Sequence, residues 1–188
     1  KNMTEKLKQD CLEFYLQKIT KQELFSRVPF SLENKSEELR LIIKDIINSK
    51  IGSNVEYGLT LLWLIEEKHE FTDLLHNLIL EPWHSQYEDI IHSLQERRDP
   101  SSVPIIKIAI QNKYDYLESY GTGTGQFISQ CGYALTSIGT KEAIETIKDF
   151  AQNSNDPVIK AEMKYQLGRI FPLDSSTKTE KRKRWWDF

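Results

Sequence analysis

Four histidines, His69, His76, His84 and His92, fall within one short stretch of this 188-residue chain, and imidazole is the side chain best suited to metal binding and to proton transfer near neutral pH. His69 and His76 stand seven positions apart on one helical face, but neither a His-Glu-x-x-His helix nor a cysteine ligand accompanies them, so the pattern falls short of a zinc site. The expectation is histidines at the surface or at helix ends. The two cysteines, Cys11 and Cys131, lack metal-type spacing and a nucleophile context. Cys131, between Ile128 and Leu135 on one helical face, reads as core. Gly121-Thr122-Gly123-Thr124-Gly125 has the glycines of a phosphate loop, yet no strand precedes it and no Lys-Ser/Thr follows. It reads as a flexible connector whose Thr124 caps the next helix. The sequence therefore predicts no catalytic, metal or cofactor-binding site.

The elements that would position these residues are helical almost throughout, because apolar residues recur with a period near 3.6 and almost nowhere alternate. Leu7, Cys11, Phe14, Tyr15 and Ile19 predict a first amphipathic helix, and Thr20 with Glu23 forms a capping box for a short one ending before Pro29. Residues 31–36 read as a loop. Leu39, Ile42, Ile43, Ile46 and Ile47 make a single buried stripe, closed by Gly52-Ser53-Asn54.

Composition narrows the function classes. With 39% apolar and 28% charged residues, the chain is expected to be one soluble domain. No apolar run approaches the roughly 20 residues of a spanning helix, and no apolar leader opens the chain. Together with two unpaired cysteines these features predict a reducing cytoplasm, no membrane and, by default, a monomer. Residues 1–53 carry a formal charge of +2, residues 54–170 of −7 and residues 171–188 of +2. An acidic body argues against a nucleic-acid sleeve and for a neutral or basic protein partner.

The later helices repeat one another. Trp63, Leu74, Leu75, Leu78 and Ile79 superpose on Leu94, Ile105, Ile106, Ala109 and Ile110. Leu94, Val103 and Ile106 in turn superpose on Leu135, Ile144 and Ile147, and Tyr133, Leu135 and Ile138 on Tyr165, Leu167 and Ile170. The longer middle spacing is an insertion between Lys113 and Gly123 containing Tyr114, Tyr116, Leu117 and Tyr120. Those rings either cover a helix end or touch a partner.

Three strings carry a resemblance: Ala134-Leu135-Thr136-Ser137-Ile138-Gly139-Thr140-Lys141-Glu142-Ala143-Ile144, Asn155-Asp156-Pro157-Val158-Ile159-Lys160-Ala161, and Leu167-Gly168-Arg169-Ile170. They resemble HEAT repeats of the short bacterial kind. Gly139 frees the turn, Thr140 caps the second helix, and Asp156-Pro157 supplies an N-cap and an N1 proline. Arg98-Asp99-Pro100-Ser101 is a looser copy. The resemblance implies an all-α fold, a short α-solenoid of HEAT-like helix pairs over 54–170. Residues 1–53 would form a helical N-terminal cap and residues 171–188 an ordered basic-aromatic capping tail, all in one structural domain. The segment Glu81-Pro82-Trp83-His84-Ser85-Gln86-Tyr87-Glu88-Asp89-Ile90 is similar to small bacterial HEAT-like proteins, some of which are immunity proteins of polymorphic or contact-dependent toxin systems. Trp83 either packs between repeats or anchors a partner.

In a HEAT array the second helix of each pair lines the concave face. The alignment places Glu70, Ser101 and Glu142 in one outward column, Asp73, Pro104 and Glu145 in the next, and Asn77, Ile108 and Asp149 in a third. The implied partner-binding surface is acidic on both flanks and apolar at Pro104 and Ile108, with Tyr114, Tyr116 and Tyr120 beside it. The leading expectation is a non-enzymatic immunity protein that occludes the active site of a basic toxin domain such as a nuclease. The resemblance also admits a HEAT-like DNA glycosylase, which an acidic body disfavours, and a scaffold module like those attached to phycobilin lyases.

Overall fold

A computed structural model describes residues 3–28, 34–66, 69–119 and 123–172. Among the described residues the fold is all-α, with eleven helices and no strand: α1 (Glu5–Tyr15), α2 (Lys21–Arg27), α3 (Lys35–Ser49), α4 (Ser53–Ile65), α5 (Thr72–Ile79), α6 (Tyr87–Arg97), α7 (Ser102–Gln111), α8 (Asp115–Ser119), α9 (Gly123–Ile138), α10 (Lys141–Asn153) and α11 (Pro157–Ile170). None of these is long and apolar enough to cross a membrane.

Local chemistry sets many of the helix ends. Thr20 accepts the amide of Glu23 while the Glu23 carboxylate takes the amide of Thr20, the reciprocal box expected from the sequence. Thr140 accepts the amide of Ala143, and Asp156 accepts those of Val158 and Ile159 ahead of Pro157. Gly139 turns the chain at φ 67°, in the left-handed region where a side chain is disfavoured. Arg98 makes a similar turn at φ 52° after α6, with the Asp99 carboxylate accepting the amide of Ser101.

The packing order follows from which stripes are apolar. α1 packs on α4, α6 on α9 and α9 on α11, while α3 packs on α5, α5 on α7 and α7 on α10. Cross-contacts of α3 with α4, α5 with α6, α7 with α9, and α10 with both α9 and α11 join the two sets. One continuous core results, from Leu7 and Cys11 through Leu39, Ile43 and Leu59 to Ile106, Leu135, Ile147 and Met163. Each fully buried Leu or Ile contributes roughly 1.5–3 kcal/mol of transfer free energy.

Several local expectations are corrected. α1 stops at Tyr15, which is exposed, so Ile19 lies beyond the helix. α3 begins at Lys35, inside the expected loop. α9 starts at Gly123, so Thr124 sits in its first turn rather than capping it, and Gly125 is helical. Cys131 is core as expected, and Cys11 is buried as well. The basic-aromatic tail, Lys181 to Phe188, lies outside the described residues.

Candidate functional interface

Helices α5, α7 and α10 lie side by side, and each buries one stripe while turning another outward. In α5 the buried set is Thr72, Leu74, Leu75, Leu78 and Ile79, in α7 it is Ser102, Val103, Ile106, Ala109 and Ile110, and in α10 it is Ala143, Thr146, Ile147, Phe150 and Ala151. That leaves Asp73, Asn77, Pro104, Ile108, Glu142, Glu145 and Asp149 exposed. Glu70 is exposed too, but it precedes α5, as Ser101 precedes α7, so the first column is helical only at Glu142.

Between α7 and α10 these residues line a groove of about 330 Å³ containing Pro104, Lys107, Glu142, Glu145, Thr146 and Asp149. Ile108, 44% exposed, is the next apolar residue on α7. The structure thus brings Pro104 together with the three carboxylates of α10.

Cations temper the acidity of the face. Arg40 of α3 reaches Asp73 at 2.7 Å and the backbone carbonyl of Glu70 at 2.6 Å, its guanidinium lying over the Phe71 ring. Burial alone would push the Asp73 carboxyl up, but the hydrogen bond and charge of Arg40 outweigh it and hold the group below the usual carboxylate range. Lys107 reaches Asp149 at 3.4 Å, and Lys141 reaches Glu145 at 3.7 Å. A hydrogen bond from Asn153 and another from Lys107 lower the Asp149 pKa. Ser36 donates to Glu70 at 3.0 Å. The carboxylate of Glu142 meets no hydrogen-bond donor or cation among the described residues. Five carboxylates against three cations leave the face net acidic.

Arg40 is the residue that sequence reasoning missed. Its partner is 33 positions away, and nothing in helical periodicity marks that pairing. Lys107 was closer to legible, because the repeat alignment sets Ile108 over Asp149 and so puts Lys107 one residue from its partner.

The tyrosine insertion divides. Tyr114 is 2% exposed and corrects the expectation that it faces a partner. Its hydroxyl donates to the carbonyl of Ile79 at 2.7 Å and accepts from Asn112, and its ring packs on Tyr87 and Phe127. Burial pushes its pKa up to about 12. Burial wins here because the short loop after α7 folds the ring inward to satisfy an orphan carbonyl at the end of α5. Tyr116 is 38% exposed and lines a different, polar cleft of about 390 Å³ with Ser85, Gln86, Glu88, Asp89 and Gln126. Tyr120 lies outside the described residues.

The histidines part ways as well. His69 and His92 are exposed, and His76 is half-buried with its Nε2 at 2.8 Å from the Ser102 hydroxyl. His84, expected at the surface or a helix end, is 4% exposed. Trp83 packs partly against the core and donates its indole N–H to the Glu81 carboxylate. No group of three or more His, Cys, Asp or Glu that could hold a metal occurs among the described residues. Compared with protein-family models, with curated proteins and with solved structures, the chain finds no match in any of the three.

Proposed function

We propose that this chain is a non-enzymatic binding protein, an immunity protein that neutralises a cognate basic toxin by occluding its active site. In this reading the two sets of helices are the layers of a short HEAT-like solenoid, and α5, α7 and α10 form its binding layer. The observation that carries the proposal is the groove between α7 and α10, where apolar Pro104 sits with Glu142, Glu145 and Asp149 and exposed Ile108 follows on α7. An apolar centre with an acidic rim suits a partner that presents an apolar contact ringed by Lys or Arg. The carboxylates steer its approach and fix its register.

Ion pairs already present on the face would be exchanged for ones to the partner. A guanidinium from the partner takes the place of Lys107 on Asp149, and the part-exposed Lys107 ammonium turns to solvent.

The test is co-expression with the product of the neighbouring gene, a pull-down, and binding kinetics on what is retained. The expected result is a basic, growth-inhibiting protein held near one-to-one. Replacing Glu70, Asp73, Glu142, Glu145 and Asp149 together by their amides should slow its association at least about tenfold at low salt. Lys107→Ala should accelerate association. Tight binding that survives the five substitutions would remove this face from the proposal, and retention of nucleic acid alone would remove the protein partner.

A further inference from the structure

His84 sits in the segment between α5 and α6 with both ring nitrogens engaged. The amide of Gln86, which can only donate, points at Nδ1 at 3.0 Å, and the carbonyl of Leu78, which can only accept, lies 2.8 Å from Nε2. Only the neutral tautomer with its proton on Nε2 satisfies both neighbours. The ring stacks on Tyr87 with centroids 4.4 Å apart and meets the edge of Trp83 at 5.5 Å. Tyr87 in turn donates to the carbonyl of Glu81 at 2.9 Å. The 80–86 segment is therefore fastened through one imidazole, one phenol and one indole.

We propose that this segment is an acid-sensitive latch: a proton taken up at Nδ1 of His84 breaks the bond to the Gln86 amide and frees the segment from the start of α6. The proton comes from solvent, and the imidazolium then places a donor against a donor.

The surroundings favour this outcome. Burial lowers the pKa of His84, against the opposing effects of its bond to Leu78 and of the Glu81 carboxylate in the same segment. From α6 the ring faces Tyr87, on which Asp115 of α8 and Tyr114 also act. The turn before α4 lies against the backbone of the segment: a Cβ added at Gly52 would stand 3.4 Å from the His84 Cα. Stacking on Tyr87 recovers part of the cost of a buried imidazolium, but a ring that leaves the core recovers all its hydration. Ser85 and Gln86 form one wall of the polar cleft that Tyr116 and Gln126 complete, so release of the latch remodels that cleft and leaves the α7–α10 groove intact.

Hydrogen exchange of the full chain at pH 7.5 and pH 5, corrected for intrinsic rates, tests the latch. A released imidazole with its ordinary pKa of about 6.5 gives a ceiling of about thirtyfold on the change in opening at pH 5. The expected result is at least about tenfold loss of protection at Gln86 and Ile90, whose amides bond to His84 and to the Gln86 carbonyl, beyond any loss at Ile147 of α10. His84→Asn, which keeps an acceptor near Nδ1 and does not titrate, should abolish that excess. Equal protection at both pH values, loss spread evenly over all helices, or the same loss in His84→Asn would each overturn the proposal. Nitrogen NMR of wild-type His84 gives a second readout should that variant not fold: at pH 7.5 a protonated Nδ1 would overturn it.

Discussion

Arg97, the last residue of α6, closes two guanidinium bonds onto the two carboxylate oxygens of Glu66, the residue just after α4. The side chains are 2% and 9% exposed, and Glu66 also accepts the amide of Phe71 at 3.1 Å. One carboxylate thus ties two helices to the start of α5.

Removing one partner strands the other charge in the core. Arg97→Met or Glu66→Leu alone should cost about 3–5 kcal/mol in urea unfolding, and the double substitution should recover most of that loss. The recovery is expected because the Nε of Arg97 has no acceptor even in the native pair. A double variant no better than the worse single one would show that the pair is needed for packing.

Two glycines mark close approaches, and they should respond differently to alanine. A Cβ at Gly52 would lie 2.8 Å from the carbonyl oxygen of Trp83, a backbone atom that cannot swing aside. At Gly58 it would lie 2.7 and 2.8 Å from the terminal methyl groups of Ile46 and Ile43, which can rotate. Overpacking costs about 1–3 kcal/mol, so Gly52→Ala should fall at the upper end of that range and Gly58→Ala at the lower end. Thermal unfolding of the two variants checks the order.

Tyr114→Phe should destabilise by about 1–3 kcal/mol, because it leaves the carbonyl of Ile79 buried without its donor. Ile108→Ala, at an exposed position on α7, should stay within about 0.5 kcal/mol. Denaturant midpoints of the two variants separate the anchoring residue from the surface one.

Acid should weaken the fold in two stages. Burial lowers the pKa of both His84 and His76, the latter against the opposing charges of Asp99 and Asp73. Each neutral ring therefore adds stability that is present above about pH 6.5 and lost as pH falls below it, by at most about 1.4 kcal/mol per pH unit for each proton. The second stage belongs to the carboxylates. Hydrogen bonds from the Ser101 side chain and amide hold Asp99 below the usual range, and Arg40 does the same for Asp73 against burial. Their stabilisation is present above about pH 4 and lost below it. Urea midpoints from pH 8 to pH 3 should be flat down to about pH 6.5 and fall thereafter. In His76→Gln/His84→Asn the first fall should be shallower.

Much of the helical framework was legible from neighbouring residues. The Thr20–Glu23 box, the Thr140 cap, the Asp156-Pro157 start and the Gly139 turn each involve partners within a few positions. Of the stripe, Leu39, Ile42, Ile43 and Ile46 face inward as the spacing requires, while Ile47 is only partly buried beside them. Those signals are local, and a short stretch of chain contains everything needed to satisfy them.

Tertiary structure decided the character of the individual side chains. Tyr114 and Tyr116 are two positions apart in one aromatic-rich insertion, yet one satisfies a carbonyl 35 positions away and the other lines a cleft. His84 and His92 share one expectation, the surface or a helix end, but only His84 finds an amide and a carbonyl on opposite sides of its ring. The carboxylates of Glu70, Asp73, Glu142, Glu145 and Asp149 are visible in the repeat alignment, whereas Arg40 and Lys107 come from helices 33 and 42 positions away from Asp73 and Asp149. Helical period and capping act through bonds and neighbours and so are written along the chain. Burial, ion pairing and protonation depend on which distant groups arrive at the same place, and only the packed helices determine that.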